Sequence, residues 1–67
     1  MIRVDAKPLF DLNLTMLEIR RGDELIYSTT DAVEATQWLM DVGVEDPRPL
    51  IEAAMHWGKV NIYDEVS

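Results

Sequence analysis

The spacing of the apolar residues changes twice along this chain, and those two changes constrain the fold more than any other feature. As far as Thr29 apolar residues recur at every second position or in short runs; from Ala32 to Trp57 they recur every third or fourth; from Lys59 to Tyr63 they alternate again. A period of two marks a half-buried strand, and a period near 3.6 marks an amphipathic helix. The expected order is therefore β-β-β-α-α-β. A small antiparallel sheet of three to four strands, with both helices packed on one face, satisfies that pattern as an α+β fold.

With 67 residues the chain makes one small domain, 1–67. A chain of this size buries only about 60% of the surface its unfolded state exposes. It has no cysteine and one histidine, so neither a disulfide nor an imidazole or thiolate metal site is expected. Good packing, self-association or a partner must supply the rest of its stability.

Ile2 and Val4 alternate with Arg3 and Asp5 as a first short strand, which Lys7-Pro8 is expected to end. Phe10, Leu12, Leu14 and Met16 alternate in one phase, and Leu17 and Ile19 in the other. A strand cannot change faces without a bulge or a break, so a break is expected before Asn13 or near Met16, with the main strand at about Asn13 to Arg20. A turn at Arg21-Gly22-Asp23 leads to a return strand from Glu24 to Thr29. Its three-residue loop would pair Ile19 with Leu25, Leu17 with Tyr27, Thr15 with Thr29, and Arg20 with Glu24. A two-residue Gly22-Asp23 loop, pairing Ile19 with Ile26, is the alternative.

Thr30 or Asp31 caps the first helix, and Asp31 with Glu34 has capping-box spacing. Ala32, Ala35, Leu39 and Val42 form its apolar side. Asp31, Glu34, Trp38 and Asp41 form the neighbouring stripe, and Gly43 stops the helix. Asp46 as N-cap and Pro47 at N1 open the second helix. Its apolar face is Leu50, Ile51, Ala54 and Trp57, with Trp57 read as core, and Gly58 ends it. Val60 and Ile62 point inward from the last strand.

Charge carries the functional signal. From Gly22 to Pro47 there are seven acids, Asp23, Glu24, Asp31, Glu34, Asp41, Glu45 and Asp46, and no lysine or arginine; elsewhere six acids balance six bases, so this stretch holds the whole formal charge of -7. Phosphate binding needs clustered bases, which excludes direct nucleic-acid binding even though two helices joined by a glycine-containing loop suggest a helix-turn-helix. Anionic membrane surfaces are excluded for the same reason, and no segment has the apolar length of a membrane span. Arg21-Gly22-Asp23 and Asn13-Leu14-Thr15 match short integrin-binding and glycosylation patterns, but read as an ordinary turn and an ordinary strand. His56 follows Glu52 by four residues, the spacing of a surface pair. No nucleophile, phosphate loop or paired-carboxylate motif accompanies it, so no enzyme and no cofactor are expected. The acids at 41, 45 and 46 lack the alternating ligands of a calcium loop.

The expected function is a non-catalytic binding module or inhibitor, cytoplasmic, whose acidic face docks on a basic site of a larger protein. Its partner-binding residues are Asp23, Glu24, Asp31, Glu34, Trp38, Asp41, Glu45 and Asp46. Trp38 is the anchor, since tryptophan is enriched among binding hot spots. Imitation of DNA by the first helix alone falls short: Asp31 to Asp41 spans about 15 Å with three charges, where the same length of duplex carries roughly nine. In composition, short acidic cysteine-free chains of this kind resemble phage- or mobile-element-encoded inhibitors of host nucleic-acid machinery, such as anti-CRISPR or anti-restriction proteins. That resemblance implies a nucleic-acid-processing or host-defence complex as partner. The alternative is a self-associating structural or accessory subunit, a homodimer among its forms, held by apolar contacts near Tyr27, Trp38 and Met40.

Overall fold

The computed structural model describes residues 2–62. Its elements are β1 (Ile2–Leu9), β2 (Leu14–Arg21), β3 (Glu24–Thr29), α1 (Ala32–Asp41), α2 (Arg48–Trp57) and β4 (Lys59–Ile62). The strands form one antiparallel sheet in the order β3-β2-β1-β4. This is the expected α+β arrangement, with the last strand returning beside the first. Tyr63, placed in that strand by its alternation, lies outside the described residues.

One face of the sheet is apolar because the strand periods agree across it. Ile2 and Val4 of β1, Leu17 and Ile19 of β2, and Ile62 of β4 are buried there. Ala35 and Leu39 of α1 and Ile51 and Ala54 of α2 complete the core. Helix α1 lies against β3 and α2 against β1 and β4.

Both helices stop at a glycine in the left-handed region. Gly43 has φ +102, and its N–H donates to the Met40 carbonyl while the Val44 N–H donates to that of Leu39. These two bonds are a Schellman motif, and Val44 packs against the core beside the helix it closes. Helix α2 starts differently from expectation. Pro47, not Asp46, is the N-cap; it is buried, and its carbonyl accepts from the Ile51 N–H. Asp46 instead has φ +45 and turns the chain into Pro47, a conformation aspartate tolerates better than most residues.

Three further expectations change. Strand β1 continues through Pro8 to Leu9. The Ala6 N–H donates to the Gly58 carbonyl, which shows that alternate residues 4, 6 and 8 direct their amides to the β4 side. β4 pairs only with residues 2–5 of β1, so Pro8 removes no ladder bond. The alternating residues Phe10 and Leu12 are not in a strand: 10–13 is a turn, closed by Leu12 N–H to Leu9 and Asn13 N–H to Phe10, with Asn13 at φ +54. That turn is the break in phase.

The β2–β3 loop is the two-residue Gly22-Asp23, with Arg21 opposite Glu24 and Arg20 opposite Leu25. A bulge then shifts the register so that Ile19 faces Tyr27 and Leu17 faces Thr29. The bulge lets both Ile26 and Tyr27 of the apolar run Leu25-Ile26-Tyr27 reach the core. Finally, Trp57 is 76% exposed rather than core. The buried stripe of α2 centres between Ile51 and Ala54. At about 100° per residue Trp57 lies roughly 90° from that centre, on the last residue of the helix.

Candidate protein-docking face

Helix α1 is fixed at its start by three linked polar groups. The Asp31 carboxylate accepts from the Val33 and Glu34 amides at 2.9 and 3.4 Å. The Asp31 N–H donates to Thr29 Oγ1, and that hydroxyl donates to Glu34 Oε1 at 2.6 Å. Glu34 thus closes the cap through Thr29 rather than directly, as a simple capping box would.

Four residues on from Glu34, Trp38 stacks on Tyr27 of β3, with centroids 5.0 Å apart and planes 11° from parallel. Flat rings touching at about 3.5 Å must then be displaced sideways, the offset stack that aromatic pairs favour. Burial pushes the Tyr27 phenol above its ordinary pKa, and hydrogen bonding to Glu34, the charge of Glu34 and that of Asp31 add to the effect. Because Thr29 meets Glu34 and Tyr27 meets Trp38, α1 runs back along β3. Its C-terminal end, with Asp41, therefore lies toward the Gly22-Asp23 turn. Gln37 Nε2 donates to Asp41 Oδ1 at 3.1 Å and orients that carboxylate.

The residues expected to bind a partner divide as follows. Asp31, Glu34, Trp38 and Asp41 share α1 and its cap. Asp23 and Glu24 occupy the β2–β3 turn and the start of β3, and Glu45 and Asp46 the connection to α2. All seven acids are exposed, and none pairs with a base among the described residues. Tyr27 joins this group through the stack. Val33, 77% exposed, and exposed Met40 do not: at about 100° per residue they lie roughly 140–160° around α1 from Trp38, on a separate stripe. The position of Trp38 at the margin of the apolar stripe was the available signal for the stack. Nothing in the spacing indicated that the bulge would bring Tyr27 to it.

The opposite face of the sheet has a different charge pattern. Arg3 and Arg20 are paired in register, as are Asp5 and Glu18, with Lys7 one step further along β1 and Lys59 opposite Asp5. Like charges therefore sit across β1 and β2, opposite charges alternate along them, and Lys59 of β4 faces Asp5 as an opposite charge. Arg3 Nε lies 3.0 Å from Asp5, Arg20 reaches Asp5 at 3.8 Å and Glu18 at 3.2 Å, and Lys7 lies 3.1 Å from Glu18. Arg20, expected to pair with Glu24, is held in this ladder instead. The Lys7 ammonium, with Arg20, holds the Glu18 carboxyl below its usual value against the opposing effect of burial. Among the described residues four bases against two acids leave this face net positive, so their excess negative charge lies toward the helices and the β2–β3 turn.

Among the described residues no group of three or more His, Asp or Glu side chains could hold a metal ion. No helix is long and apolar enough to cross a membrane. No protein-family model, no curated protein and no solved structure matches the chain.

Proposed function

We propose that this protein is a non-catalytic binding module that docks its α1 face on a basic site of a larger protein. The observation that carries this reading is the meeting of unpaired acids with an aromatic anchor: Glu34 sits between the Asp31 cap and the Tyr27–Trp38 stack. Interfaces derive affinity from a few desolvated aromatic or apolar anchors and orientation from a charged rim, and this face carries both. The rigid cap and offset stack hold the anchor in place before binding, which lowers the ordering cost of association. The basic site belongs by class analogy to a nucleic-acid-processing or host-defence complex in the cytoplasm, and the protein acts there as an inhibitor by occupancy.

The test is capture from the native host at low salt, identification of the protein retained, and measurement of its affinity for the wild type and for Glu34→Lys with Asp41→Lys. Asp31 is left intact because it caps the helix. The double reversal is expected to weaken binding at least tenfold, about 1.4 kcal/mol, and the wild-type affinity should fall as salt rises. Affinity unchanged by both perturbations refutes the electrostatic docking.

A further inference from the structure

The β1–β2 hairpin extends past the rest of the sheet. β4 covers β1 only to Asp5, and β3 covers β2 only from Leu17. Lys7–Leu9 therefore pairs with Leu14–Met16 as a two-stranded arm, about 10 Å long at ~3.4 Å per residue. Its tip is apolar: Phe10 is 86% and Leu12 65% exposed, and Leu14 beside them is also exposed. Single exposed apolar residues are ordinary, but three within five positions on a projecting turn form a patch. Next to the tip is an open groove of about 420 Å³, with Pro8, Leu9, Phe10, Leu14 and Met55 as its apolar lining and Asn13, Thr15 and Thr30 as its polar lining. A cavity of about 150 Å³ already admits a benzene ring, so a phenyl side chain fits there.

We propose that this arm is a self-association surface, in which Phe10 of one copy enters the groove of a second copy across a two-fold axis. Two observations favour a second copy over another partner. Knob and hole occupy one patch, as an isologous contact requires. The arm carries one base and one acid, Lys7 and Asp11, so two copies meet there without the repulsion their net charge imposes elsewhere. The exposed area of Phe10, Leu12, Leu14 and Met55 is on the order of 400 Å² per copy, about half that of a standard interface. The dimer is therefore weak and concentration-dependent. This surface is separate from the acidic face and does not depend on the role proposed for it.

Sedimentation of the full chain from about 10 μM to about 1 mM, a range that brackets weak association, tests the proposal. The wild type should rise from the 7.7 kDa monomer toward twice that mass, and raised salt should preserve the dimer. Phe10→Ser with Leu12→Ser should stay monomeric throughout with an unchanged melting temperature, and Leu12→Lys alone should do the same. A wild type that remains monomeric over the whole range overturns the proposal, as does a double variant that dimerises like the wild type. A monomeric wild type whose double variant loses capture of a host protein also overturns it, by assigning the tip to a different partner.

Discussion

Trp57→Ala separates a reading of the core from sequence spacing from one based on the fold. A tryptophan in the core costs about 3–5 kcal/mol when truncated to alanine. Trp57 is 76% exposed, so about a quarter of a side chain worth up to ~250 Å² leaves water on folding. At about 25 cal/mol per Å² that burial is worth roughly 1.5 kcal/mol. Its edge contact with His56, at 4.6 Å between ring centres, adds about 0.5 kcal/mol, and the better helix propensity of alanine returns a similar amount. The expected cost is therefore about 1–1.5 kcal/mol. Leu39→Ala is the paired control. Leu39 is fully buried between α1 and the sheet, and its truncation should cost about 3–5 kcal/mol. A domain of this length has a total stability of roughly 3–10 kcal/mol, so the control removes a large part of the fold while Trp57→Ala does not. Urea denaturation followed by far-ultraviolet circular dichroism measures both. With a slope near 1 kcal/mol per molar, the Trp57→Ala midpoint should fall by about 1 M. A loss of 3 kcal/mol or more at Trp57, or of less than about 1.5 kcal/mol at Leu39, would refute the assignment of the core.

Asp31→Ala removes the carboxylate that holds the Val33 and Glu34 amides and should cost about 1 kcal/mol in the same denaturation experiment. Glu18 has a folded-state pKa below its unfolded one, so its contribution is complete above the unfolded value, about 4.3, and is lost as pH falls through the folded value. Glu18→Gln should flatten that part of the acid limb in urea melts taken at successive pH values. Tyr27 has the opposite sign: its contribution is complete below the unfolded value, about 10, and is lost as pH rises through the folded one. In an NMR titration of the ring, Glu34→Gln should bring the Tyr27 phenol back toward its ordinary value.

The element order, both helix stops and nearly all of the core were legible because each rests on a local rule. Alternation placed Val4, Leu17 and Ile19 inward, the helical period placed Ala35 and Leu39, and glycine marked both helix ends. What escaped depends on where a neighbouring strand ends or on packing between elements. Pro8 lies in a strand because β4 stops short of it, which no reading of β1 alone can show. Phe10 and Leu12 alternate like strand residues although they form a turn; Asp11 and Asn13, both turn formers, were the contrary signal. The hairpin register turned on a bulge that brings Ile26 and Tyr27 to the same core. The acidic stretch was visible as a count, but its contrast with the sheet face depends on which strands lie side by side.

That contrast decides how the two proposed surfaces should respond to salt. On the open sheet face each acid is bounded by bases within 4 Å, so its field is largely cancelled close to the protein. The acids of α1 and its flanking turns have no such partners among the described residues, and their field extends outward until screened, over about 8 Å at physiological salt. The proposed basic partner would therefore be drawn to the helix side in preference to the sheet side, which would orient the encounter before any contact forms. The arm, with Lys7 and Asp11 as its charges, contributes little to that field. Rising salt should thus weaken capture of a basic partner while leaving dimerisation intact or strengthening it, since it screens the repulsion between two chains of charge -7. If both associations weakened in parallel, the separation into an electrostatic docking face and an apolar self-association arm would be wrong.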